Sequence, residues 1–146
     1  MSISLTENNK RMELDVLGYE FPDAKGDYYD ANWLNVGIRY DDGSLSFRQV
    51  DSCLLAFELE ELTGTLDAIL EGRESGTITD FTEPYLTLAV TRVGENCALQ
   101  VRFVYDTDGP WKEVCVCQGM DRRELQKMND ALKEMYQRFP RREGKE

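Results

Sequence analysis

The chain has 146 residues, contains no histidine, and carries a formal net charge of −11 from 28 acidic and 17 basic side chains. Without imidazole it has no Ser-His or Cys-His nucleophile pair and no histidine metal ligand. The negative charge disfavours binding to nucleic acids and to anionic membranes, and it favours basic protein partners.

The first third of the chain predicts strands. The first ten residues are polar and are expected to be frayed. Alternation of apolar with acidic side chains then indicates a half-buried strand with Met12, Leu14 and Val16 on one face. A second strand is indicated by the alternating residues Leu34, Val36, Ile38 and Tyr40. The turn signal Asp41-Asp42-Gly43 predicts a hairpin with a third strand.

Two amphipathic helices are predicted, one in the middle and one near the end of the chain. The first has the apolar stripe Leu55, Leu59, Leu62, Leu66 and Ile69. Its start is left open, because Asp51 and Ser52 are good caps and Ala56 is a poor one. The second begins with a capping box at Asp121 and Glu124 and stops at Pro140. Its stripe is expected to pack as core: Leu125, Met128, Leu132, Met135, Tyr136 and Phe139.

Three further strands are expected between the two helices. Their apolar faces are Leu86, Leu88 and Val90, then Cys97, Leu99, Val101, Phe103 and Tyr105, and then the run from Val114 to Cys117. The element order β-β-β-α-β-β-β-α predicts an α+β fold, with a largely antiparallel sheet of about six strands and two packed helices. We expect residues 1–146 to form one domain, with residues 1–10 and 140–146 frayed.

The four cysteines are expected to be reduced. The sequence shows neither an export signal nor an apolar stretch of membrane-span length, so we expect a cytoplasmic protein. Cys115 and Cys117 lack the CxxC spacing of a zinc knuckle, and we interpret them as packing residues on one face of a strand. No cofactor is predicted.

Charge is distributed unevenly along the chain. Residues 121–146 hold eight basic and six acidic groups, a net of +2, so residues 1–120 have a net charge of −13. The stretch 51–72 has six acidic residues and no basic one, and Lys25 alone opposes the aspartates of the loop before the second strand. An acidic surface of this kind speeds the capture of a basic partner. Two aromatic patches, Asn32-Trp33-Leu34 and Phe81-Thr82-Glu83-Pro84-Tyr85-Leu86, offer rings that can anchor an interface. The candidate partner-binding residues, taken from the acidic and aromatic patches, are Asp23, Asp27, Asp30, Trp33, Glu58, Glu60, Glu61 and Tyr85.

Two other functions fit the same residues. Asp27 with Asp30, or the pair Glu60-Glu61, can hold Mg²⁺ or perform acid–base chemistry in a metal-dependent hydrolase. Neither pair belongs to a known metal-binding or phosphate-binding motif, so we predict neither a metal site nor an enzyme. An acidic regulatory adaptor would show the same features and would differ only in its partner.

Four motifs occur in a fixed order along the chain: GYEFP at 18–22, YYDANWL at 28–34, CLLAFELEEL at 53–62 and FTEPYLTL at 81–88. Over residues 12–105 the chain therefore resembles the WapI-type immunity proteins, small bacterial proteins encoded with polymorphic toxins. The resemblance implies a non-enzymatic inhibitor that binds a cognate toxin domain inside the producing cell. Such toxins are often nucleases with basic active sites, which an acidic protein suits. The candidate binding residues rest on charge and aromatic patches alone.

Overall fold

The chain folds into two antiparallel sheets and three helices in a computed structural model that describes residues 2–24 and 26–143. Met1, residues 144–146, and Lys25 in the loop before the second predicted strand lie outside the described residues. The strands are β1 (Ile3–Glu7), β2 (Lys10–Tyr19), β3 (Trp33–Asp41), β4 (Ser46–Leu55), β5 (Gly76–Ile78), β6 (Leu86–Val93), β7 (Asn96–Asp106) and β8 (Lys112–Met120). The helices are α1 (Tyr28–Asn32), α2 (Ala56–Leu70) and α3 (Arg122–Arg138).

Each sheet is a meander, with order β1-β2-β3-β4 in the first and β5-β6-β7-β8 in the second. The predicted hairpin between β3 and β4 is confirmed, and the Asp42 carboxylate holds its turn by accepting hydrogen bonds from the amides of Ser44 and Leu45. The two sheets meet where β1 lies beside β8. There the Gln118 side chain accepts from the Thr6 amide at 2.8 Å, and Glu7 accepts from the Cys117 amide at 3.0 Å.

One hydrophobic core joins both sheets to α2 and α3, and it confirms the apolar patterns. The alternating residues of β2, β3, β6 and β7 are buried apart from Tyr105, which is half-buried. Phe47 on β4 spans the two sheets, because its ring stacks on Tyr105 at 5.0 Å and lies 6.2 Å from Phe103. Both predicted helix stripes face this core, with Tyr136 and Phe139 of the second stripe only partly buried.

The predicted single sheet of about six strands with two helices is only roughly matched, because residues 2–24 and 26–143 form two four-stranded antiparallel sheets and three helices. Residues 3–7, expected to be frayed, form β1 because Ile3 and Leu5 are buried and pair with β2. Two apolar residues in a polar stretch gave too little pattern to predict it. Helix α1 has five residues and β5 has three, both too short to show a helical or strand period.

Helices α2 and α3 pack against each other through polar side chains as well as apolar ones. The Asp67 carboxylate accepts from Asn129 at 2.9 Å and from Lys133 at 2.8 Å. The predicted capping box is confirmed, since Asp121 and Glu124 exchange hydrogen bonds at the start of α3. Among the described residues, no helix combines the length and apolar character needed to cross a membrane.

We expect Leu125→Ala to lower the free energy of unfolding by about 2–5 kcal/mol, because it removes a large side chain from a site with 0% exposure. Urea unfolding followed by far-UV circular dichroism measures the change. Lys127→Ala, an exposed position on the same turn, is the control and should stay within about 0.5 kcal/mol of the unmodified protein. Equal stability of the two variants would contradict the core assignment of α3.

Candidate functional site

Two of the candidate aspartates lie at the start of the short helix α1. Asp27 is its N-cap, and its carboxylate accepts a hydrogen bond from the Tyr29 amide at 2.7 Å. Asp30 lies in the first turn, where the helix dipole favours negative charge. Asp23 lies in the preceding loop, and all three aspartates are exposed. The structure therefore places these three carboxylates in one exposed segment.

An aromatic cluster joins α1 to the start of α2. Tyr28 stacks on Phe57 with a centroid distance of 5.1 Å and an interplanar angle of 7°. Tyr29 meets the same ring edge-on at 6.0 Å, and it is 51% exposed. Half-exposed tyrosines are common energetic anchors at protein interfaces. Tyr28, Tyr29 and Phe57 lie within the sequence motifs, but they are not among the site residues predicted from charge and aromatic patches.

Glu61 extends this cluster with another exposed carboxylate. It lies four residues after Phe57 on α2, so the two side chains occupy the same side of the helix. Glu61 also borders a groove lined by Thr65, Thr77, Ile78, Asp80 and Phe81. We call the set Asp27, Tyr28, Tyr29, Asp30, Phe57 and Glu61 the acid–aromatic surface.

Glu60 lies beside this surface, but its carboxylate is bound by one residue near the end of α3 and one residue after it. One oxygen accepts a hydrogen bond from the Tyr136 hydroxyl at 2.7 Å, and the other lies 3.5 Å from the guanidinium of Arg141. The Tyr28 hydroxyl, together with the negative charge of Glu60, raises the pKa of Arg141. The charge of Glu60 is thus largely balanced inside the molecule.

Glu58 serves the fold rather than the surface. It is only 6% exposed, and it accepts a hydrogen bond from the Leu55 amide at 3.0 Å. Its second oxygen accepts from the amide and hydroxyl of Thr82, at 2.7 and 3.2 Å. This answers the open question of the helix start: α2 begins at Ala56, and Glu58 supplies the cap that its flanking residues lack.

The two remaining candidates lie beside different sheets. Trp33 is half-buried at the start of β3, directly after α1, and pairs with Leu55 across the sheet. Tyr85 immediately precedes β6, and its ring meets Trp111 at 5.4 Å. Trp111 is 54% exposed and was not selected from the sequence. Trp33 therefore adjoins the acid–aromatic surface, and Tyr85 belongs to a separate aromatic pair.

The four cysteines are free thiols. Burial raises the pKa of Cys53 to about 12, with Asp51 adding to the rise. The prediction that Cys115 and Cys117 both pack as small hydrophobes is wrong for Cys117, which is exposed on the outer face of β8. In residues 2–24 and 26–143, no group of three or more cysteine and carboxylate side chains is placed to hold a metal ion.

The carboxyl group of Asp51 lies in a different environment from those of the exposed aspartates. It is half-buried on β4, and desolvation, followed by the nearby charge of Glu20, raises its pKa above the ordinary value. Ionisation of this carboxyl in the folded protein is therefore less favourable than in the unfolded chain.

We expect Glu58→Gln to lower the free energy of unfolding by about 1–3 kcal/mol. Both oxygens of the Glu58 carboxylate accept hydrogen bonds, and the amide of glutamine would place an N–H group against one of these donors. The substitution keeps the side-chain shape, so the loss reports hydrogen bonding rather than packing. Urea unfolding measures it, with Glu61→Gln as the exposed control. If both variants unfold at the same urea concentration, Glu58 has no structural role.

We expect Asp51→Asn to raise the melting temperature at pH 7, since a carboxyl with a raised folded pKa destabilises the fold once it ionises. The gain should vanish below about pH 4, near the ordinary aspartate pKa, because Asp51 is then protonated in both states. Thermal melts from pH 3 to pH 8 test this. Asp108→Asn removes the same charge from an exposed turn, and matching pH profiles for the two variants would refute the assignment.

Comparison with known proteins bears directly on this geometry. A search of curated proteins finds no match for the chain. The family model described as the immunity protein WapI-like family matches residues 3–140, which include both sheets, all three helices and the whole acid–aromatic surface. The chain therefore belongs to the WapI-like immunity protein family.

Proposed function

We propose that this protein neutralises a cognate bacterial toxin domain by binding it directly, without catalysis, in the cytoplasm of the cell that makes both. Membership of an immunity protein family supports a toxin partner. The observation that carries the proposed site is the acid–aromatic surface. There, exposed carboxylates surround a stacked aromatic cluster at the junction of α1 and α2.

The chemistry of this surface favours a basic partner. Within the part of the chain that the structure describes, Asp27, Asp30 and Glu61 form no ion pair with a lysine or arginine. Their charges are therefore free to attract a partner's basic groups, and the neighbouring rings can pack against a guanidinium. The same charges disfavour nucleic acid and anionic lipid as partners.

The proposed site includes only some of the residues that were predicted from the sequence. Glu58 and Glu60 are omitted, since their carboxylates already bind groups of this chain. Asp23 and Trp33 are kept at the rim, because they flank α1. Tyr85 is kept as part of a separate contact with Trp111.

The central test uses the toxin domain encoded beside this chain's own gene as the probe. Expression of that domain should stop the growth of a host cell, and co-expression of this chain should restore growth. The purified proteins should form a complex that size-exclusion chromatography resolves. If the chain neither protects the cell nor forms the complex, the proposed function is wrong.

Reversal of two surface charges locates the site. We expect Asp30→Lys combined with Glu61→Lys to slow association with the toxin domain by about tenfold or more at low salt, because these charges steer a basic partner. The deficit should shrink as salt screens the charges. Stopped-flow fluorescence measures the rate constants.

The matched control reverses Glu95 and Glu134, two exposed carboxylates in the β6–β7 turn and on α3, so the net charge changes by the same amount. Association of the control should stay close to that of the unmodified protein. Equal slowing of the two double variants would show that net charge alone steers the partner, which would remove the acid–aromatic surface as the site.

A further inference from the structure

The segment after α3 folds back onto the loop and helix that carry the candidate site. Phe139 packs edge-on against Tyr19 with a ring centroid distance of 5.6 Å. The Tyr19 hydroxyl donates to the carbonyl of Pro140. These contacts bring residues 139–143, of which 140–143 were expected to be frayed, beside the end of β2. This segment therefore lies next to the loop that leads into α1.

Arg142 uses its whole guanidinium to join two pieces of backbone. Its Nε donates to the carbonyl of Ala31 at 2.7 Å. Its two terminal nitrogens donate to the carbonyls of Pro22 and Phe21, at 2.8 and 3.0 Å. The guanidinium carbon also lies 3.7 Å from the centre of the Tyr19 ring. One side chain thus fixes the loop before α1 against the end of α1.

The backbone of residue 142 is held as well, by the fully buried side chain of Asn32. The Asn32 oxygen accepts from the Arg142 amide at 2.9 Å, and its nitrogen donates to the Arg142 carbonyl at 2.9 Å. The same nitrogen donates to the carbonyl of Tyr28 at 2.8 Å. Asn32 therefore links the segment after α3 to the backbone of the acid–aromatic surface.

These bonds matter because α1 cannot hold its own shape. A helix of five residues has too few internal hydrogen bonds to be stable alone. Within the loop, the backbone bond from Ala24 to Phe21 closes only a single turn. The placement of Asp27, Tyr29 and Asp30 must come from long-range contacts, and Arg142 supplies three of them to the surrounding backbone.

We infer that Arg142 is a positioning residue for the acid–aromatic surface: it holds the loop and α1 in the arrangement that a toxin domain binds. This inference rests on the proposed function, and it assigns a role in binding to a segment outside the surface itself. Arg142 contacts no partner in this scheme. It acts by keeping the surface ordered before binding, which lowers the entropy lost on association.

Hydrogen exchange tests the positioning without any partner. In Arg142→Ala, amides of residues 26–32 should exchange about tenfold faster or more, because the charge-assisted bonds that hold the loop before α1 against the end of α1 are gone. Amides of β7 should keep their protection. Arg138→Ala, on the exposed last turn of α3, removes the same charge and should leave both regions unchanged. Unchanged exchange of residues 26–32 in Arg142→Ala would overturn the inference.

Calorimetry with the toxin domain encoded beside the gene tests the link to binding. The dissociation constant of Arg142→Ala should rise about tenfold or more, and that of Arg138→Ala should not change. If residues 26–32 loosen but affinity is unchanged, the positioning role fails and the proposed function stands. If the unmodified protein does not bind the toxin domain, the proposed function is wrong, and the positioning role of Arg142 in binding is wrong as well.

Arg142→Lys tests the same guanidinium bonds if Arg142→Ala loses its global fold. Lysine keeps the positive charge above Tyr19 but cannot donate to three carbonyls in the planar geometry of a guanidinium. We expect faster exchange of residues 26–32 and weaker binding in this variant too. Exchange and affinity equal to those of the unmodified protein would show that charge alone suffices, which would contradict the role of the guanidinium bonds.

Discussion

The buried carboxylate of Glu58 connects three parts of the chain: the end of β4, the first turn of α2 and the segment that leads into β6. It caps α2 by accepting from Leu55 at the end of β4, and it holds Thr82 in the segment that leads into β6. A buried carboxylate is tolerated only where donors surround it, so the start of α2 depends on Leu55 and Thr82 being held beside Glu58. Since Phe57 is its neighbour in the first turn of α2, the aromatic cluster depends on the same interaction.

Folding divides the acidic residues into two groups with different roles. Glu58, Glu60 and Asp67 bind groups of the chain itself, and two of them meet basic residues of the segment 121–143. The positive net charge of that segment is thus used partly inside the molecule. Asp30 and Glu61 have no such partner among the described residues. The number of acidic residues in the stretch 51–72 therefore overestimates the negative charge on α2 that is available to a partner.

Elements with a regular spacing of apolar side chains could be predicted from the sequence. Contacts between residues far apart in the chain could not. The stripe of α3, the hairpin of β3 and β4, and the family resemblance could all be predicted, because each depends on local spacing or motif order. The grouping of Asp27 with Asp30 also follows from sequence proximity. The pairing of Asn32 with Arg142 could not be predicted, because 110 residues separate them and neither belongs to a periodic pattern.

Long-range contacts also explain how a helix of only five residues keeps a defined place on this surface. The helix that carries Asp27 and Asp30 is joined at its end to Arg142, whose guanidinium donates to the Ala31 carbonyl at 2.7 Å. The chain has no histidine, so it lacks the side chain that ordinarily titrates near neutrality. No histidine therefore contributes to the shape or to the charge of the surface. For the toxin binding that we propose, this means that protonation of an imidazole on this side cannot weaken the complex.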